Sequence, residues 1–306
     1  TVEKVGRLRK LEALGLASEV GPGQWVLDDK AEGTLRQLGE RGDIIKRMHR
    51  ALTERGIERG SANYVLAGES LDVPVIGRLV ERGLDDELKG TAYAVVDGVD
   101  GRTHHIRLPH LDAAGDSAPG SIVELRAFDD ARGEHRVALA VRSDLDLQHQ
   151  VNASGATWLD RQSIAREPVA MSDGGFGAEV RDALRQRAEH LVREGLAEQQ
   201  GGRVVFRRNL IDTLRRREVD AVADRLAKET GQPFKPAGNG EYVAGTYRQR
   251  MTLASGRFAM IDDGLGFQLV PWSPSLENQL GKHVSGVARG DGGVDWSFGR
   301  KRGLGL

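Results

Sequence analysis

The sequence predicts an α+β protein built by repeating one unit, helices first and short strands after, on three observations. The first is a recurrence: Gly15-Leu16-Ala17-Ser18-Glu19-Val20-Gly21 returns as Gly195-Leu196-Ala197-Glu198-Gln199-Gln200-Gly201. The second is a weaker likeness between the stretch around Ala92-Tyr93-Ala94-Val95-Val96-Asp97-Gly98 and that around Arg257-Phe258-Ala259-Met260-Ile261-Asp262-Asp263-Gly264. The third is composition: 40 glycines and 5% aromatic residues in 306 indicate many turns and short elements, as self-similarity at a fixed period would require.

Taken in order, Val2, Val5, Leu8, Leu11 and Leu14 recur every three residues, the period of an amphipathic helix, and Gly15 ends it. A Gly-rich turn and the apolar run Trp25-Val26-Leu27 follow, then a helix carrying Thr34-Leu35-Arg36. In the second copy the helix is marked by Val180, Leu184, Ala188, Leu191 and Val192, the apolar run is Val204-Val205-Phe206, and the next helix carries Thr213-Leu214-Arg215. Counted from the first Gly, the threonines lie 19 and 18 residues on, so the copies differ by one deletion. Helix, Gly turn, hairpin and helix make a winged-helix-like unit.

Each copy then runs into a strand, an Asp-Gly turn and further strands: His105-Ile106-Arg107-Leu108 and Gly120-Ser121-Ile122-Val123-Glu124-Leu125 in the first, Phe267-Gln268-Leu269-Val270-Pro271-Trp272 and Gly281-Lys282-His283-Val284-Ser285-Gly286-Val287 in the second. That pattern predicts a small SH3-like or OB-like β-barrel. The expected division is a winged-helix-like unit at 1–60, a helical and acidic connector at 61–89, a barrel at 90–145, a linker at 146–175, a second winged-helix-like unit at 176–235, and a second barrel with a basic end at 236–306. Within the linker, Trp158-Leu159-Asp160-Arg161 reads as a helix start and Ser172-Asp173-Gly174-Gly175 as a flexible joint.

Without cysteine there are no disulfides, thiolate metal sites or cysteine nucleophiles, which fits a reducing cytosol, and no apolar run approaches a membrane span. A cytoplasmic location and no membrane partner are expected. The first residue is Thr1, inside a helical pattern, which reads as a piece of a longer chain. The net charge of −1 conceals an asymmetry: residues 1–199 hold 27 Lys and Arg against 34 Asp and Glu, whereas residues 200–306 hold 17 against 11. Only the carboxy-terminal third has the surplus expected of a surface that meets a polyanion.

Enzymatic chemistry finds little support. Of eight histidines only His104, His105 and His110 cluster; adjacent strand residues face opposite ways, so they are expected at a barrel rim rather than on a metal. The pairs Asp85-Asp86, Asp129-Asp130 and Asp262-Asp263 sit beside turn signals, where Asp accepts from backbone N–H groups. Arg41-Gly42-Asp43 is too short to carry information, and no phosphate-loop or dinucleotide fingerprint occurs. No catalytic residue, metal or cofactor is expected. What remains is cationic and aromatic: Arg203, Arg207, Arg208, Arg215, Arg216 and Arg217 on the second hairpin and the helix after it, then Arg300, Lys301 and Arg302 at the end. Trp272, Trp296 and Phe298 are read either as base-stacking or as barrel core.

Leu253-Ala254-Ser255-Gly256-Arg257-Phe258-Ala259-Met260-Ile261, Phe267-Gln268-Leu269-Val270-Pro271-Trp272, Leu276-Glu277 and the ending Trp296-Ser297-Phe298-Gly299-Arg300-Lys301-Arg302-Gly303-Leu304-Gly305 resemble the uncharacterised carboxy-terminal region of conjugative relaxases, the relaxase/mobilisation nucleases. Gly42-Asp43-Ile44-Ile45-Lys46, Met48-His49-Arg50, Arg82-Gly83-Leu84-Asp85-Asp86-Glu87-Leu88 and Ala156-Thr157-Trp158-Leu159-Asp160-Arg161 look similar to the same region, so the resemblance spans nearly the whole chain. It implies a parent protein that nicks plasmid DNA through a Tyr and a His-bound metal in an amino-terminal domain. That domain is not in this sequence, and Tyr64, Tyr93, Tyr242 and Tyr247 match no nucleophile motif. The expected partners are DNA, the relaxase catalytic domain of the same parent chain, and the coupling protein of a type IV secretion channel. Two readings follow: a non-catalytic module that handles origin DNA in plasmid mobilisation, or a protein-recognition module and translocation signal read by the coupling protein.

Overall fold

A computed structural model describes residues 2–66, 73–129 and 131–298. Helix α1 (Val2–Ala13), the hairpin β1 (Ala17–Gly21) and β2 (Gln24–Leu27), and α2 (Ala31–Glu54) come first. Next are β3 (Tyr64–Val65), β4 (Val75–Asp86), β5 (Thr91–Gly98), β6 (Thr103–Leu108), β7 (Ile122–Asp129) and β8 (His135–Ser143). Three helices, α3 (Leu147–Val151), α4 (Trp158–Ser163) and α5 (Gly175–Arg193), lead to the hairpin β9 (Ala197–Gln200) and β10 (Arg203–Phe206) and to α6 (Leu210–Thr230). The last sheet is β11 (Tyr242–Leu253), β12 (Gly256–Asp262), β13 (Phe267–Pro271), β14 (His283–Ala288) and β15 (Val294–Trp296). The chain is thus mixed α+β, and among the described residues no helix is long and apolar enough to cross a membrane.

The two helix–hairpin–helix stretches share their hydrogen bonds. Leu16 N–H donates to Leu11 C=O and Leu196 N–H to Leu191 C=O, each at 2.8 Å. Each hairpin closes on the same residue, through Asp28 N–H to Leu16 C=O and Arg207 N–H to Leu196 C=O, both 3.0 Å. Gly15 and Gly195 take φ of +70° and +69°, the left-handed turn that ends a helix and that a Cβ would disfavour. The one-residue difference between the copies is visible as well: the β1–β2 register slips between Glu19 and Gly21, whereas β9 and β10 pair without interruption. The extra residue, Val20, is accommodated as a bulge.

The sheets share a strand order. The first runs β3-β6-β5-β4-β7-β8 and the second β13-β12-β11-β14-β15. In each, a long first strand, β4 or β11, pairs with two neighbours and turns between them at a bulge, after Leu79 or Tyr247. There Gly120 N–H donates to Leu79 C=O and Leu79 N–H to Ser121 C=O; Gly281, Tyr247 and Lys282 repeat both bonds. A Cβ on Gly77 or Gly245 would overlap the carbonyl oxygen of Asp97 or Asp262, so both crossings depend on glycine. The third strand's outer edge meets the incoming chain, by Tyr64 opposite Thr103 in the first sheet and Phe234 opposite Phe267 in the second, both parallel.

Three expectations change. The barrels are not closed: among the described residues no ladder joins the two ends of either sheet, because the third strand's edge is met by that entering segment. The acidic part of the connector is instead β4, a central strand whose Val75, Leu79 and Val80 are buried; its acidic residues lie at the end that enters the β4–β5 turn. The linker at 146–175 is packed: α3 and α4 bury Val151, Trp158 and Leu159 against Phe176 and Val180 of α5. Thr157 and Asp160 form the reciprocal cap of α4, which agrees with the helix start read from the sequence. Ser172 is pinned through its N–H to Val99 C=O at 2.8 Å, so the supposed joint is anchored to the first sheet.

Ion pairs tie the halves together. Arg257 reaches Asp144 at 2.7 Å and Arg250 reaches Asp116 at 2.6 Å, from the second sheet to the first. Asp97, wholly buried, is held by Arg59 and Arg78 at 2.9 Å each, and both guanidinium groups also bind Glu179 of α5.

Candidate nucleic-acid interface

Helix α6 buries Leu210, Leu214, Glu218, Ala223 and Leu226, one face of a 3.6-residue period. The consecutive residues Arg215, Arg216 and Arg217 must therefore fan outward from Leu214, and Arg216 and Arg217 are exposed while Arg215 is half-buried. Arg203, Arg207 and Arg208 are exposed on the hairpin and in the turn into the helix. Elsewhere the chain pairs its arginines with carboxylates, as in Arg36 with Glu32, Arg185 with Asp182 and Glu189, and Arg225 with Glu229. Among the described residues, none of Arg203, Arg207, Arg208, Arg215, Arg216 and Arg217 has a carboxylate within 4.0 Å, whereas Arg225, further along α6, pairs with Glu229. Six guanidinium groups on neighbouring elements, with Asp212 the one opposing charge within their span of sequence and no ion pair among them, create a positive potential that a polyanion lowers.

The sequence did not single out Arg161. It stands on α4, which packs against α6, and burial first and the like charge of Arg215 second pull its pKa below the ordinary value. Its side chain still reaches solvent at the mouth of a cleft of about 390 Å³ formed by β8, α4, the β11–β12 turn and Trp272. Arg215 also abuts the β14–β15 turn, since a Cβ on Gly292 would lie 3.5 Å from its Nη1. The β11–β12 turn is fixed from the other side, Glu218 accepting the N–H groups of Ala254 at 2.8 Å and Ser255 at 2.9 Å. The signal for Arg161 was present, because an N-cap at Thr157 places Asp160 inward; its nearness to Arg215 depends on how two helices pack.

The aromatic residues divide. Trp272 and Trp296 pack against the core of the second sheet, and Arg250 and Arg257 lie 5.2 and 5.7 Å from the Trp272 ring centre. Phe298 is exposed. Arg300, Lys301 and Arg302 lie outside the described residues.

The histidines correct a second expectation. His104 and His105 are buried, not on a rim. His104 Nε2 is 2.9 Å from Asp100, and His105 stacks on Tyr93 at 5.4 Å beneath α2. Both strand faces are covered, so alternation does not expose either ring. Burial, and then the Arg47 guanidinium, lower the His105 pKa to about 4, so the ring is neutral near pH 7. Tyr93, desolvated and hydrogen-bonded to Glu81 at 2.7 Å, is pushed up to about 12. Three of the aspartates take the turn roles expected of them, Asp86 accepting from Leu88 and Lys89 N–H, Asp262 from Gly264 and Asp263 from Leu265, whereas Asp85 instead pairs with Arg47 at 2.7 Å. Asp130 lies outside the described residues.

Fold and surface together define an α+β protein with two like-ordered sheets and a cluster of uncompensated arginines. The chain belongs to the family described as a protein of unknown function, DUF3363, whose model matches residues 4–131 and 124–305. Comparison with curated proteins finds no match, and neither does comparison with solved structures.

Proposed function

We propose that the chain is a non-catalytic DNA-handling module, an accessory part of a conjugative relaxase that holds origin DNA during plasmid mobilisation. The observation that carries this reading is the set of six arginines, Arg203, Arg207, Arg208, Arg215, Arg216 and Arg217, without carboxylate partners in a chain that pairs most of its arginines. The fold agrees with it. Helix, hairpin and helix make a winged-helix-like unit, whose hairpin and helix start commonly meet phosphates. A sheet in the order third, second, first, fourth, fifth strand is that of an OB-like barrel left partly open, whose first and fourth turns bind oligonucleotides. In the second sheet those turns are the β11–β12 turn held by Glu218 and the β14–β15 turn beside Arg215. The relaxase context rests on the sequence resemblance alone.

Fluorescence anisotropy with single- and double-stranded DNA across a salt series tests this. Expected is binding that weakens steeply with salt and is lost when Arg207, Arg208, Arg215, Arg216 and Arg217 are changed to Gln. No binding at low salt would overturn it.

A protein-recognition role is the second reading, and one observation favours it. The first helical unit exposes Val5, Leu14, Val20, Val26, Leu35 and Leu38; in the second the counterpart of Leu35, Leu214, is buried with Ala156, and Leu14 and Leu38 are replaced by Glu194 and Arg217. Several exposed apolar side chains on one unit favour protein over phosphate as its partner. The coupling protein of a secretion channel is the partner this reading names.

A further inference from the structure

We infer that the cleft between β8, α4 and the β11–β12 turn receives one nucleotide of single-stranded DNA, its base between the cleft walls and its phosphate on Arg161 and Arg215. The inference rests on the DNA-handling reading and adds a site and a strand preference to it. The cleft measures about 390 Å³, within the roughly 300–1,000 Å³ range of small-ligand sites, and Trp158 and Trp272 contribute to its lining. Aromatic walls suit any base, because every base presents a π face.

Charge is arranged to match. Of the three arginines that line the cleft, Arg142 is neutralised by Glu124 and Arg257 by Asp144 and Asp116. Arg161 makes no ion pair within 4.0 Å among the described residues; across the α4–α6 contact it feels the repulsion of Arg215 more than the attraction of Asp212. The carboxylate next to it in sequence, Asp160, is committed to the buried Arg187 at 2.8 Å. The Arg161 guanidinium lining an aromatic-walled cleft, with Arg215 on the helix packed beside α4, is complementary to a phosphodiester.

The walls are pre-set. Glu218 holds the backbone of Ala254 and Ser255, Ser255 Oγ accepts the Ala156 N–H at 2.9 Å, and Gly155 leaves room for the Glu218 carboxylate, which a Cβ there would overlap. Little ordering entropy remains for the ligand to supply. A regular duplex keeps its bases stacked inside and cannot insert one without unpairing it.

The test compares oligo(dT) with a duplex of equal length on the intact chain, by anisotropy and by quenching of intrinsic Trp fluorescence. Two variants leave the six arginines of the hairpin and α6 in place: Arg161→Gln, which strips no partner of its counter-charge, and Ala254→Phe, which narrows the cleft. Expected is about tenfold weaker oligo(dT) binding for each, with most of the quenching lost and duplex affinity unchanged. Circular dichroism checks that both remain folded. Wild-type affinity and quenching in Arg161→Gln, alongside loss of binding on neutralising Arg207 and Arg208, would overturn the cleft and leave the DNA-handling reading standing. A wild-type chain that binds neither DNA at low salt would overturn both.

Discussion

The Arg187 guanidinium, wholly buried, makes five hydrogen bonds: two to the Asp160 carboxylate at 2.8 Å each, and three to the backbone carbonyls of Val151, Ala153 and Gly155. All five of its donors are therefore used, and α5 is locked to the segment joining α3 and α4. Removing one partner leaves a buried charge uncompensated. Arg187→Leu should destabilise the fold by about 3–5 kcal/mol, read by urea unfolding. Arg187→Lys should rescue only part of this, since an ammonium cannot span both carboxylate oxygens and three carbonyls.

Glu218 and Gly155 act as a matched pair. Gly155→Ala would drive a methyl group into the Glu218 carboxylate and displace the β11–β12 turn. The expected loss is about 1–3 kcal/mol in unfolding free energy, with a fall in hydrogen-exchange protection at Ala254 and Ser255. Unchanged protection at those amides would show that the carboxylate is not what holds the turn.

The buried His105 ring gives stability a specific pH window. Its folded-state pKa of about 4 lies below the ordinary 6.5, so the folded protein binds this proton less readily than the unfolded chain. Its influence is absent above pH 6.5, and stability then falls as pH drops towards 4, by at most about 3 kcal/mol. His105→Phe, which preserves stacking on Tyr93, should flatten the unfolding midpoint across that window. Below it, the ion-paired Asp116 and Glu124, held under the usual carboxylate range, continue the loss on protonation in both proteins.

Each exposed arginine of the second hairpin and α6 should count separately in salt dependence. Arg216→Gln, which breaks no ion pair, should reduce the slope of log K against log salt by about 1 without altering sequence preference. An unchanged slope would remove Arg216 from the interface.

The repeat, its one-residue offset and the turn aspartates were legible because each obeys a local rule: apolar spacing sets the helices, glycine ends them, and Asp caps nearby N–H groups. Strand β4 was missed because its apolar residues are interrupted by a bulge after Leu79 and followed by acidic residues that resemble a solvated connector.

Sequence alone determined that this protein is α+β, that its order of helices and strands occurs twice, and that its surplus of positive charge lies after residue 200, because those properties reside in neighbours along the chain. Tertiary structure decided which charges remain unpaired and which residues meet. Arg187 finds Asp160 across 27 positions and Arg257 finds Asp144 across 113, while Arg161 comes to face Arg215 only through the packing of α4 on α6. Tertiary packing also covers both faces of β6, α2 lying over the one with His105, which is why two adjacent histidines that alternation would divide between core and solvent are both buried. Composition lists the ions, but only the fold assigns their partners, since Coulomb attraction between desolvated charges is set by distance in space.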